Sequence, residues 1–392
     1  MYQKKKYVNI ILYIILIMPF FPISYLSYKF NIYNDIINVV LLIGFLFSIY
    51  QILHYKKINL ITVLSLIFYG VMFFSTYINN GDKLNCIKQG ITIFSMLNIF
   101  DYGIKYNSKV FIKAVRYYLN ILIIINFITI LLVPEGLYIS SGSNYKDNWT
   151  LGFKNLHILY IMPAILFNNL YSLKYYKKIR IRDYWFMLIA FASAVLVNSS
   201  TSMVGIILFI ISSFFITKIN DKFFNIISYN VSYIVIYFSI VIYRIQELFG
   251  NLIYKIFKKE ATFTGRTFIW DYVMSFINEK KALGYGLEYI NVRFDRSIKY
   301  EGEQTYHAHN EILEIIYKTG FIGFGIILLM FALISHKLVK NKNNNISKLI
   351  SIFIFIFLIM MLTEFYNFSY IFYIFIVAFN VEYLIMEEDK WI

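Results

Sequence analysis

Apolar runs close to 20 residues long recur along almost the whole chain, separated by short polar stretches rich in lysine. An α-helix of about 20 apolar residues crosses the hydrocarbon core of a bilayer. The pattern predicts about twelve spans, at 7–28, 33–53, 58–78, 84–106, 110–133, 156–173, 184–197, 203–217, 224–243, 312–335, 349–362 and 368–385. Two polar stretches are long. One is 134–154, whose Ser, Gly and Asn content marks a true loop. The other, 244–309, carries two patterns at helical spacing: Leu248, Phe249, Leu252, Ile253, Ile256 and Phe257, then Phe268, Ile269, Tyr272, Val273, Phe276 and Ile277. Each makes one apolar stripe, suited to lie in the membrane surface or to fold over a cavity between the spans. The expected fold is an all-α polytopic membrane protein, a bundle of about twelve transmembrane helices with one large outer loop containing amphipathic helices. Membrane helices occupy 1–243, an extracytoplasmic loop 244–310, and further membrane helices 311–392.

Composition agrees. The 392 residues are 59% hydrophobic and only 15% charged, against about 25% in a soluble domain. The net charge of +15 does not point to nucleic acid, because the lysines gather in alternate short loops, where positive charge sets orientation. That alternation places both termini in the cytoplasm and both long loops outside. The basic start, 1–6, precedes an apolar run too long for a signal-peptide core and lacking a small-residue cleavage site, so it reads as a retained first span. Cys86 is the only cysteine, which excludes disulfides within one chain and cysteine-based metal sites. No internal repeat is evident, which weighs against a transporter built from repeated halves.

Chemistry concentrates at 305–329, TYHAHNEILEIIYKTGFIGFGIILL. Asn310 is placed to cap a helix starting at Glu311, with His309 at its mouth. The unpaired amides of a helix start favour an anion such as phosphate or pyrophosphate. Glu311 and Glu314 suit the first turn of that helix. A metal pair at His307 and His309 lacks a third ligand at convincing spacing, so neither metal nor cofactor is expected.

His309-Asn310, then nine residues, Gly320, two residues and Gly323 resembles the signature of the O-antigen ligase and Wzy polysaccharide polymerase superfamily. Gly265-Arg266, Trp270 and Gly284-Tyr285-Gly286 follow the same family order, and Gly152-Phe153 through His157 loosely resembles a segment that enters the next span in many polymerases. One departure stands at Ser200, where members often carry Arg or Lys.

The resemblance implies a metal-independent membrane glycosyltransferase in the bacterial cell membrane. Its donor would be a polyprenyl-pyrophosphate-linked oligosaccharide, and its other partners would be membrane lipid and the flippase and chain-length regulator of the same pathway. Such a reaction needs stabilisation of the leaving diphosphate and removal of a proton from the attacking hydroxyl. Arg266 is the first candidate for the diphosphate, because guanidinium forms bidentate contacts and keeps its charge. Arg244, Arg293, Arg296, Asn310, Lys154 and His157 are further substrate-binding candidates. His309 and Arg266 are the catalytic candidates, His309 as base or as diphosphate contact. The expected activity is polymerisation of repeat units into capsular or other surface polysaccharide on the outer face. The alternatives are a ligase passing a finished glycan to a different acceptor, and a polysaccharide flippase or transporter.

Overall fold

The computed structural model describes residues 2–139, 146–218, 224–248, 250, 255, 265–289, 292–293, 298–300, 303–305, 307–367 and 371–386. Helices dominate, in the order α1 (Tyr2–Ile17), α2 (Ser24–Lys29), α3 (Asn31–Tyr55), α4 (Leu60–Ile78), α5 (Lys83–Tyr106), α6 (Ser108–Leu132), α7 (Ile158–Tyr176), α8 (Ile181–Leu196), α9 (Ser200–Phe215), α10 (Ile226–Tyr237), α11 (Ile245–Leu248), α12 (Arg266–Glu279), α13 (Glu311–Lys340), α14 (Asn345–Met361), α15 (Phe372–Phe379) and α16 (Val381–Ile385). Short 3-10 turns at Met18–Phe20 and Lys154–Leu156, a π-helical turn at Phe238–Ile242 and two small antiparallel hairpins complete the described elements. Asn148–Trp149 pairs with Gly152–Phe153, and Ile298–Tyr300 pairs with Glu303–Thr305.

Five helices are long and apolar enough to cross a membrane: Asn31–Tyr55, Leu60–Ile78, Ser108–Leu132, Lys154–Tyr176 and Glu311–Lys340. Shorter apolar helices occupy Asn9–Phe20, Ser200–Phe215, Ile226–Ile242 and Asn345–Met361. The chain is a multi-pass, all-α membrane protein. Its outer helices show the reason on their surfaces. Ile36, Val39, Leu42, Ile43 and Leu46 of α3 are exposed, an apolar face that only lipid would cover without cost.

The bundle is organised around α7, whose residues from Ile158 to Lys174 are all buried. It packs on α6 and α14. Two of its polar residues are paired inside: Arg116 Nε donates to Asn168 Oδ1 at 2.8 Å, and Lys174 Nζ donates to the carbonyls of Leu384 and Met386 at 2.9 and 2.8 Å. The lysine thus ties α7 to the carbonyls at the end of α16, where a cation is favoured. On the other side, α4 packs on α5 and on α13, and α13 also packs on α12.

The second amphipathic pattern does form a helix, α12, but the buried face is shifted. Ile269, Trp270, Val273 and Ile277 point inward, with Trp270 wholly buried, whereas Phe268 and Tyr272 are exposed. Trp270 lies one position beyond the expected stripe and, as the largest side chain, takes the interior. The first pattern, over 248–257, falls almost entirely outside the described residues.

Candidate active site

The local shape of the site comes from Gly320. There α13 breaks: Gly320 has φ 62° and ψ −170°, a backbone region open almost only to glycine. The break turns Glu311–Thr319 into a separate short helix ahead of the long membrane segment. A broken helix exposes peptide groups, and here the segment 281–286 satisfies them. Tyr285 and Gly286 amides donate to the Tyr317 and Lys318 carbonyls, each at 2.8 Å. Phe321 and Ile322 amides donate to the carbonyls of Lys281 and Ala282 at 2.8 and 3.2 Å. A Cβ at Gly320 would sit 2.1 Å from the Ala282 carbonyl oxygen. Gly284 and Gly286 are needed for the same approach. Their φ values are 66° and 74°, and a methyl group on either would lie 2.4 Å from backbone, of Tyr317 and of Thr76 respectively. The same segment is tied to the end of α4, where Leu287 N donates to Thr76 Oγ1 at 2.9 Å and Ser75 Oγ donates to the Gly284 carbonyl at 3.0 Å.

At the start of the short helix, Asn310 Oδ1 accepts from Leu313 N at 3.1 Å, the cap read from the sequence. His309 precedes it with φ 46°, which turns the chain back on itself. The His307 and His309 rings meet edge to face with centroids 4.2 Å apart, and His307 also packs on Phe365 at 5.0 Å. Glu314 holds this turn from below. Its Oε2 accepts from Ala308 N at 2.9 Å and from Arg293 at 2.9 Å, and Lys318 pairs with its Oε1 at 3.1 Å. Arg293 also pairs with Glu288 at 3.3 Å and lies on the Tyr317 ring at 3.8 Å.

Burial pushes the His309 imidazole down to about 2, helped by the neighbouring His307 and Arg266. Burial likewise pushes His307 down to about 4, with Lys318, Arg293 and Arg266 adding to it against the pull of Glu314. Both rings are therefore neutral at physiological pH. The Nδ1 atoms of His307 and His309 and the hydroxyl of Tyr366 are buried and have no hydrogen-bond partner among the described residues. Unsatisfied groups of this kind, gathered in one place, mark a site that a ligand completes.

Arg266 approaches from the first turn of α12. Its Nη2 donates to Glu364 Oε1 at 2.9 Å, and its Nη1 donates to the Thr363 carbonyl. The turn after α14 is gripped at several points at once. Asn310 Nδ2 donates to the Leu362 carbonyl at 3.0 Å, and Glu311 Oε2 accepts from Tyr366 N at 2.8 Å. Asn155 Nδ2 and Thr201 Oγ1 both reach Glu364 Oε1 at 3.4 Å, and Ser199 Oγ donates to Asn155 Oδ1 at 3.0 Å. The buried carboxylate of Glu364 thus joins α12, α9, the entry to α7 and the turn after α14.

The structure brings His309, Asn310 and Arg266 together, with Arg293 behind them on Glu314. The other candidates are used elsewhere. Arg244 pairs with Asp271 and Thr267 O on α12. Lys154 pairs with Asp147 at 2.7 Å. His157 is buried between Asn126, at 3.3 Å from Nδ1, and the Gly152 carbonyl, at 3.0 Å from Nε2. From that segment it is Asn155 that reaches the site. Arg296 lies outside the described residues. Glu364 escaped the reading of the sequence. The signal was there: it is the lone acidic residue between Glu314 and Glu382, set among apolar residues, and a buried carboxylate needs a partner.

Residues 185–328 match the model of the family described as O-antigen ligase, a stretch that holds Arg266, Arg293, the histidine turn and the Gly320 break. This stretch is similar to the O-antigen ligase and Wzy superfamily. Similar proteins include one from Rickettsia felis named "Putative polysaccharide ligase", 38% identical over 86 residues, which cover 20% of this chain and 20% of that protein. A Rickettsia conorii relative of the same description matches to the same extent, and one from Rickettsia typhi is 33% identical over 101 residues, 24% of each chain. The chain thus aligns with only about a fifth to a quarter of the length of these relatives. No solved structure matches. The family-matched segment ends before Glu364, so the Arg266–Glu364 pair reaches from inside that segment to a partner beyond it.

Beside the histidine turn runs an apolar groove of about 640 Å³ between α10, α12 and α13. Tyr233, Tyr237, Met274, Ile316, Phe324 and Leu328 are among its lining residues, and Glu311 lines it too. Among the described residues no group of three or more His, Cys, Asp or Glu side chains is arranged to hold a metal ion.

Proposed function

We propose that the protein is a Wzy-type polymerase that joins polyprenyl-pyrophosphate-linked repeat units into a capsular or other surface polysaccharide on the outer face of the cell membrane. The observation that carries this reading is the meeting of Arg266, the neutral His307–His309 pair and a capped helix start beside an apolar groove. Anionic, polar and apolar parts of a lipid-linked glycan each find matching chemistry there. The groove suits the polyprenyl tail, and Arg266 with the helix start suits the diphosphate.

In the reaction so read, a hydroxyl of the incoming unit attacks the anomeric carbon of the growing chain. The new C–O bond forms as the bond to the diphosphate oxygen breaks, and that oxygen leaves with the electron pair. The hydroxyl proton passes to the Nδ1 or Nε2 of His309. A bound diphosphate offsets Arg266, which adds to burial in depressing the imidazole, so donor binding raises the basicity of His309 when it is needed. Arg266 stabilises the charge developing on the leaving oxygens, and Glu364 keeps its guanidinium in place. No metal takes part in this reading.

Twelve crossings, both termini in the cytoplasm and 244–310 outside complete the proposal. Single cysteines from Ser297→Cys and Asn343→Cys, in a Cys86→Ser background, would be probed with an impermeant thiol reagent on intact cells. Labelling at 297 and protection at 343 is expected, and the reverse sinks the orientation. A deletion strain tests the activity. The polymerase reading expects single repeat units on lipid and no long chains. Long chains held on lipid would favour a ligase, and single units confined to the inner leaflet would favour a transporter.

A further inference from the structure

A second cavity, of about 470 Å³, lies between the N-terminal halves of α3 and α5. Its size falls within the roughly 300–1,000 Å³ of ligand pockets. Asn34, Asn38 and Leu41 line it from α3, and Asn85, Lys88, Gln89 and Thr92 from α5, with Ser27 and Asn367 at its ends. These positions repeat at three and four residues, so each helix turns one polar stripe toward the other. Asn38, Asn85 and Lys88 are exposed at the mouth of the cavity, while Asn34 Nδ2 donates to the Ser27 carbonyl and Thr92 Oγ1 to the Lys88 carbonyl, each at 2.8 Å.

We propose that this cavity is a glycan-binding site, taking the sugars of the unit handled at the histidine turn; the proposal rests on the glycan-transfer reading. Its lining offers five carboxamides, two hydroxyls, one ammonium and no carboxylate. Carboxamides and hydroxyls both donate and accept, which matches sugar hydroxyls that do the same. An anion or a lipid tail would call for arginines or an unbroken apolar wall. The cavity also leads to the reacting groups. Gln89 and Asn367 line it and also line a small neighbouring cleft with Glu311, Glu314, Lys318 and Phe365. Phe365 in turn packs on His307. A chain of sugars seated between α3 and α5 would therefore present its end toward His309, while the tail side lies across Glu311 in the groove.

The test uses the purified full-length protein with Cys86→Ser and a reporter at an apolar lining position, Ile37→Cys. Oligosaccharides from partial hydrolysis of the same strain's surface polysaccharide serve as the probe. They should protect the reporter from maleimide, and still do so with His309→Ala. Asn38→Leu combined with Asn85→Leu, which removes two amides at similar size, should weaken protection by roughly 10-fold or more. Thr92→Trp, which fills the space, should abolish it. Absence of protection in the parent protein, or equal protection in the leucine pair at matching thermal stability, overturns the proposal. Membranes holding the protein then identify the source. Extension of the free oligosaccharide assigns the cavity to the acceptor glycan, and inhibition without extension assigns it to the donor glycan. Protection together with normal long chains in the deletion strain would refute the polymerase reading and leave the glycan site standing.

Discussion

Gly320→Ala is the perturbation that separates shape from chemistry, because it removes none of the candidate reacting groups. Alanine at φ 62°, ψ −170° is strained by about 1–3 kcal/mol. Its methyl group would also lie 2.1 Å from the Ala282 carbonyl oxygen and 2.5 Å from Leu283 N, both backbone, so no side chain can swing aside. The segment 281–286 must then lift off, and the four hydrogen bonds it makes across the break are lost. At about 0.5–1.5 kcal/mol each these contribute roughly 2–6 kcal/mol. Part of that returns if α13 closes into a continuous helix, which re-pairs the same peptide groups internally. A net loss of about 2–5 kcal/mol follows, and a continuous helix would carry His307 and His309 away from Arg266. The expected result is a lower melting temperature of the detergent-purified protein and loss of long surface polysaccharide. Gly325→Ala is the control, since a methyl group there meets nothing within 4 Å. Wild-type stability and chain length in Gly320→Ala would refute the claim that the break builds the site.

Loss of a general base costs about 10²–10⁴-fold in rate, so His309→Ala should abolish long chains at normal protein abundance. Arg266→Ala should do the same, with Arg266→Lys only a partial rescue because lysine lacks the planar fork; gels of surface polysaccharide beside immunoblots decide both. Glu364→Ala strands a mostly buried guanidinium, and breaking such a pair costs about 3–5 kcal/mol, toward the low end here because Arg266 keeps 19% exposure. Its melting temperature should fall, and Glu364→Gln, which keeps a hydrogen-bond acceptor, should fall less. The histidine pair makes stability depend on pH. Their folded values, about 4 and about 2, lie below the 6.5 of the free side chain, so the unfolded chain binds protons the folded site refuses. Stability is whole above about 6.5 and declines as pH falls toward 4 and below. Replacing both histidines with asparagine should flatten that decline in melting temperature measured from pH 7 to pH 4, and an unchanged slope would show that the pair is not buried neutral.

The apolar runs alone determined that this chain is a helical membrane protein, because the demand for about 20 apolar residues per crossing is local and leaves a plain periodic trace. The cap at Asn310 was legible for the same reason: the residues that make it are three positions apart. The histidine-to-glycine spacing was legible as a pattern, but not as a cause. Only the folded chain shows that Gly320 breaks a helix and that the Gly284-Tyr285-Gly286 segment repairs it, since the two lie far apart in the sequence and meet through backbone atoms that carry no side-chain signature. The pairing of Arg266 with Glu364 spans 98 positions, and which arginine meets which carboxylate depends on how helices pack rather than on either neighbourhood. The same holds for the polar stripes of α3 and α5. Each reads in isolation as a few misplaced amides in an apolar run, and only their facing packing makes a cavity of them.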